Sequence, residues 1–250
     1  FIDLDLLVRS EQIDAAIETL AAAGFQRLHP QPRPGFDRRF SKGTTFLSPT
    51  GYELDLHRTF VQGSWGLLVD LDDLWDHGEE FEVAGRSLHA LSRTTRFMHA
   101  CYHAALGDWP PRLSSLRDIG QMLVVIGQNE GDLRALAARW RADAVLATAV
   151  SDAWSLLGIA LSTETSIWAQ SYVPQGRDKA RLAVHRHEHK NSSAQAVSAL
   201  SAIPGLWDKA AFVRALVLPE AQYIDGRHSS AIARLRYGVL EARRGWGRRR

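Results

Sequence analysis

An α+β fold is what this chain of 250 residues predicts: a small mixed β-sheet with flanking helices, followed by a helical C-terminal region. Three observations predict it. The chain opens on Phe1-Ile2-Asp3-Leu4-Asp5-Leu6-Leu7-Val8, where acids alternate with aliphatic residues at the period of a strand, and runs directly into a helical pattern. Residues 25–91 then break into short extended pieces between Pro and Gly turns. From about residue 92 the apolar period becomes i, i+3, i+4 and stays there. Two regions are expected, an α/β core over 1–91 and a helical domain over 92–250.

In order along the chain, Ser10 is placed to cap a helix whose apolar face is Ile13, Ala16, Ile17 and Leu20, with Gly24 as its stop. Extended pieces follow at 25–28, 38–40, 44–47 and 52–60, separated by Pro30, Pro32, Pro34-Gly35 and Pro49-Thr50-Gly51. A hairpin over 80–83 and 86–88 turns at Ala84-Gly85. Helices are predicted over 94–106, 112–126, 132–140 and 142–157. After a linker at 173–176 they continue over 178–189, 193–200, 209–216 and 229–244. Leu113, Leu116, Ile119, Leu123 and Ile126 mark one such apolar face.

Composition excludes several classes. With 45% hydrophobic and 23% charged residues and a mean hydropathy of −0.20, the chain is not of the disordered type. Its one cysteine, Cys101, makes no intramolecular disulfide, so a reducing compartment, the cytoplasm, is expected. No apolar run reaches the ~20 residues of a membrane helix. A formal charge of +2 leaves no global basic field to draw in nucleic acid, so an anion site must be local. The first residue is Phe1, already inside a strand, and a segment upstream is expected.

The acids carry the chemistry. A period of two puts Asp3 and Asp5 on one face of the first strand, with Ile2, Leu4 and Leu6 on the other. Two carboxylates so close repel unless a divalent cation lies between them, and the hard oxygen donors suit Mg²⁺. Asp55, in Gly51-Tyr52-Glu53-Leu54-Asp55-Leu56-His57, repeats the alternation and completes a three-acid cluster if the two strands are neighbours. Such a cluster fits phosphoryl or nucleotidyl transfer, with Asp55 as a bridge or general base. The alternative is that the acids form the solvated face of an edge strand.

These residues also suggest a family. Ile2-Asp3-Leu4-Asp5-Leu6-Leu7-Val8 and the helix to Ala23-Gly24-Phe25 resemble the opening of the uncharacterised bacterial nucleotidyltransferase-like proteins of the polymerase-beta-like superfamily. Leu54-Asp55-Leu56-His57 resembles that family's Asp-Leu-His strand. The segment from Phe97 through His99, Cys101 and His103 to Leu113, Leu116, Asp118 and Ile119 resembles its helical part. The resemblance covers residues 1–157. It implies a nucleotidyltransferase-type sheet, Mg²⁺ held by Asp3, Asp5 and Asp55, and transfer of a nucleoside monophosphate from an NTP to a hydroxyl-bearing acceptor. A small molecule, an RNA end or a protein side chain could be that acceptor. It also implies a Gly-Ser phosphate-binding pair upstream of Phe1. A non-catalytic nucleotide-binding or regulatory module of the same fold is the rival reading.

Arg38, Arg39 and Lys42 are candidates for contacts to the nucleotide's phosphates, since they lie between the first helix and the Asp55 strand. His57, two residues past Asp55, shares its face and can orient it or touch substrate. His99 and His103 lie four apart on one helix face. Two ligands do not make a zinc site, so a polar network with Asp118, or the acceptor side of the cleft, is expected instead. His185, His187 and His189 read as solvated surface, Trp65, Trp75 and Trp109 as core, and Cys101 as a small core residue. The tail from Arg243 to Arg250 is basic. Neither a Walker A loop nor a Gly-x-Gly-x-x-Gly turn is present.

Overall fold

The computed structural model describes residues 3–107, 109–127, 130–187 and 192–224, with Asp3 and Ser192 described by backbone alone. Strand β1 (Asp3–Leu7) leads through a 3₁₀ turn (Ser10–Gln12) into α1 (Ile13–Ala22). There follow β2 (Gln26–Arg27), α2 (Phe36–Phe40), β3 (Gly43–Leu47), β4 (Glu53–His57) and α3 (Ser64–Leu68). A hairpin of β5 (Glu79–Val83) and β6 (Arg86–Ala90) precedes α4 (Arg93–Tyr102), which continues as a π-helical segment, His103–Gly107. The remaining helices are α5 (Leu113–Ile126), α6 (Glu130–Arg139), α7 (Asp143–Leu157), α8 (Glu164–Ser171), α9 (Gly176–His185), α10 (Ser192–Ala199), α11 (Leu206–Val217) and α12 (Ala221–Ile224). The chain is thus α+β, with small sheets of four and two strands and a helical C-terminal region. The predicted helix at 229–244, the basic tail and His189 lie outside the described residues.

Packing groups residues 1–67 with the segment from 191 onward as one unit, and residues 68–190 as another. The sequence-based boundary falls instead between 91 and 92. In the first unit the sheet order is β1-β4-β3-β2, with β1 parallel to β4 and the other pairs antiparallel. Alternation sends Leu54 and Leu56 of β4, together with Phe46 of β3, into a core closed by Ala16, Ile17 and Leu20 of α1. The opposite face of β4 carries Glu53, Asp55 and His57. Gly43 opens β3 because a Cβ there would stand 2.3 Å from the Leu56 carbonyl oxygen.

Two local expectations are corrected. Ser10 does not cap α1: it begins the 3₁₀ turn, and its buried Oγ has no partner among the described residues. Residues 38–40 are helical and not extended. Gly35 at φ +76° turns the chain into α2, and the i, i+4 pair Phe36 and Phe40 then buries one side against Phe212 of α11. The three rings lie 5.3–5.8 Å apart, so contact with a residue far along the chain overrides the extended preference of the aromatics.

In the second unit α7 is the buried helix, with Ala144, Val145, Leu146, Ala147, Ala149, Val150 and Ala153 all enclosed. Trp140 is fully buried and donates its indole N–H to Asp73 at 2.7 Å. Helix α8 has no strong apolar period and was not foreseen. It starts from a capping box in which Thr163 and Ser166 satisfy each other's backbone N–H. His185 is buried and not solvated, since it ends α9 on the same side as Arg181 and Leu182. Trp65 is core, whereas Trp109 is 38% exposed beneath the Arg186 guanidinium. Cys101 is buried, and burial pushes its thiol pKa up. No helix among the described residues is long and apolar enough to cross a membrane.

The aromatic trio and the Arg39–Asp208 ion pair tie α11 to α2. Phe212→Ala is expected to destabilise the protein by about 3–5 kcal/mol, read from urea denaturation. A loss below about 1 kcal/mol would mean that the trio contributes little.

Candidate functional site

The parallel pairing of β1 with β4 is in register, so Asp5 stands directly across from Asp55, Asp3 from Glu53 and Leu7 from His57. Asp5 and Asp55 therefore meet on one face of the sheet. Asp3, described by backbone alone, holds the register position two before Asp5. His57 Nε2 lies 2.6 Å from Asp5 Oδ1 and 3.8 Å from Asp55 Oδ2. An ionised carboxylate only accepts, so Nε2–H donates to Asp5. On the other side of Asp55, the Thr45 hydroxyl donates to Asp55 Oδ1 at 2.5 Å; Thr45 is its cross-strand partner on β3. Exposure is graded, with Asp5 open to solvent at 56%, Asp55 at 26% and His57 at 14%.

Asp5, Asp55 and His57 each offer one ligand atom, all within 4.8 Å of one another. No other trio of metal-ligating side chains comes together in this way among the described residues. Two hard carboxylates and a borderline imidazole fit a divalent cation such as Mg²⁺ or Mn²⁺. His57 would join the donor set only on giving up its bond to Asp5; with that bond made it positions the acid, one of the two roles expected from the sequence.

The remaining candidates divide. Lys42 sits at the entrance to β3, where its carbonyl accepts from Arg58 N and Thr59 N just beyond His57. Its ammonium has no carboxylate partner among the described residues. Arg38 pairs with Asp14 at 3.7 Å, and Arg39 binds Asp208 while lying over the Phe40 ring. Both are held by acids of their own. His99 and His103 stack edge to face at 5.0 Å, and Asp118 accepts from Arg117 at 2.7 Å; all three belong to the second unit.

Thr45 and Arg58 are site neighbours that sequence reasoning missed. Thr45 becomes relevant only through the β3–β4 register, for which the sequence carries no signal. Arg58 is 6% exposed, donates from Nε to the Ser41 carbonyl, and has no carboxylate partner among the described residues. Burial pushes its guanidinium down to about 10, so at neutral pH it remains a cation held at a cost. Nearby, Arg27 donates from Nη2 to the buried Asp37 and from Nε to the His29 carbonyl.

The sheet thus sets two acids opposite each other across a parallel strand pair, with a histidine on the same face. The model of a family described as uncharacterised nucleotidyltransferases matches residues 1–157, more than half of the chain, and the chain belongs to that family. No curated protein and no solved structure matches it.

The Arg27–Asp37 pair makes stability depend on pH with a defined sign. Burial is the largest influence on Asp37 and raises its pKa above the ordinary 3.8, against the pull of Arg27. A carboxyl raised by folding favours the native state in its protonated form, and that contribution is lost as pH rises through the raised value. Asp37→Asn is therefore expected to gain stability relative to the wild type between acid conditions below 3.8 and neutrality, measured by paired urea titrations. A constant difference across that range would remove Asp37 as the source.

Proposed function

We propose that this chain transfers a nucleoside monophosphate from an NTP to a hydroxyl-bearing acceptor, with Mg²⁺ as cofactor. The single observation that carries the reading is the in-register juxtaposition of Asp5 and Asp55, with His57 on the same face. Asp5 and Asp55 would hold the ion, with Asp3 the further carboxylate that the family resemblance supplies. When bound, such an ion neutralises charge on the transferring phosphate and lowers the pKa of an acceptor hydroxyl.

The protein's own groups do the rest. His57 holds Asp5 in place through the 2.6 Å bond, and Thr45 holds Asp55 from the far side. Asp55, the less exposed of the two acids, is the base that takes the proton of the acceptor hydroxyl. Lys42 contributes a positive charge for the phosphates at the same end of the sheet, a role to which Arg38 and Arg39 are less suited because each already faces an acid.

A second reading, a nucleotide-binding or regulatory module without turnover, draws on the same contact. The imidazole of His57 already engages Asp5, a closed arrangement that binding alone would tolerate.

Asp5→Asn and Asp55→Asn should each abolish Mn²⁺ binding seen by electron paramagnetic resonance, together with metal-dependent NTP binding. Melting temperature should be unchanged or higher, because one of two like charges is gone. Undiminished metal and NTP affinity in both variants would overturn the proposal. Release of pyrophosphate on addition of NTP and acceptor separates the two readings, since only the transferase produces it.

A further inference from the structure

A cavity of about 340 Å³ lies in the first unit, within the size range of small-molecule sites. Thr45 is part of its wall, and the Thr45 hydroxyl is the group bonded to Asp55 Oδ1. The other Asp55 oxygen, Oδ2, faces His57 and the metal-ligating cluster. Thr45 thus joins this cavity to Asp55, whose other oxygen faces the candidate cation site. The phosphates of an NTP follow the cation, which leaves the cavity to the second substrate.

Its lining sets the chemistry of the occupant. The charges of Arg27 and Asp37 cancel in their own ion pair, so the wall carries little net charge for an ionic ligand. Gln62 Oε1 accepts from Lys42 N at 2.8 Å, and Gln31 Oε1 accepts from Asp37 N at 3.3 Å. With each amide oxygen fixed on a backbone N–H, the amide nitrogens remain as oriented donors without partners among the described residues. Gln195, on α10, adds a third carboxamide that makes no bond to the described residues. Phe36 and Phe212 supply an apolar side for a ring.

We infer that this cavity is the acceptor site and that its occupant is an uncharged, hydroxyl-rich ring molecule of monosaccharide or cyclitol size. The assignment rests on the nucleotidyltransfer reading of Asp5 and Asp55. In the step it serves, an acceptor hydroxyl oxygen forms a bond to the α-phosphorus of the NTP. The bond from that phosphorus to the β-phosphate oxygen breaks, pyrophosphate leaves, and the hydroxyl proton passes to Asp55.

The test is saturation-transfer NMR on the full chain without nucleotide. The probes are glucose, myo-inositol and scyllo-inositol, set against glucuronate, a hexose phosphate and adenosine. A neutral polyol should bind in preference to the anions and to adenosine. Gln62→Glu keeps the acceptor for Lys42 N while removing the donor, and Gln195→Ala removes a side chain the fold does not use. Each should weaken polyol binding roughly tenfold and leave Mn²⁺ binding unchanged. Asp5→Asn should do the reverse, losing Mn²⁺ and keeping the polyol, so failure of the metal reading and failure of the acceptor reading give different results. Absence of binding by every neutral probe, preference for adenosine or an anion, or indifference to both glutamine variants would overturn the assignment.

Discussion

The geometry of the site depends on one strand pairing. Parallel strands cannot be joined by a tight turn, and here the connection from β1 to β4 includes α1, which also covers the sheet face bearing Leu54 and Leu56. A slip of one residue in β4 would turn those leucines to the acid face and bring Asp55 against α1. Burial of Leu54 at 5% and Leu56 at 2% exposure opposes that slip. The apolar half of the alternating pattern thereby sets where the carboxylates stand. Position in the sheet is fixed by the core, and charge is delivered as a by-product of packing.

Two like-charged carboxylates facing each other need local support, and each has a different kind. Asp5 is the more exposed and takes a charge-assisted bond from His57. Asp55 is more enclosed and accepts from a neutral hydroxyl, Thr45, which orients it without cancelling its charge. The difference matters for the division of labour. Thr45 holds one Asp55 oxygen and leaves the other facing His57, whereas Asp5 is held from the His57 side. In the reaction proposed above, Asp55 is the base and Asp5 the ligand that His57 anchors.

Much of this was legible in the sequence, and what was not shares a physical cause. Alternation at period two marked Asp3, Asp5, Asp55 and His57 as face-sharing residues, because that pattern is local and needs no knowledge of neighbours. The pairing of their strands could be stated only as a condition, and the register that brings in Thr45 could not be read at all. Helix α2 was missed for the same reason, since Phe36 and Phe40 are helical through their contact with Phe212. The buried Arg58 and the buried His185 depend equally on which elements pack over them. Helix α8, by contrast, carried a local signal in Thr163 and Ser166 that was passed over because its apolar period is weak.

The C-terminal segment gives the first unit a role beyond that of its sheet. The match to the nucleotidyltransferase family ends at residue 157, yet Gln195, Ala199 and Phe212 line the cavity beside Thr45. The acids and the strands that carry them lie inside the matched region; part of the wall that would meet the acceptor lies outside it. The helices that supply that part are anchored by Phe212 on α2, by Asp208 on Arg39 and by Ser198 on Ser64, all outside β1 and β4. Under the proposed acceptor assignment, chemistry and acceptor choice fall to different parts of the chain, the first to β1 and β4 and the second in part to 195–216.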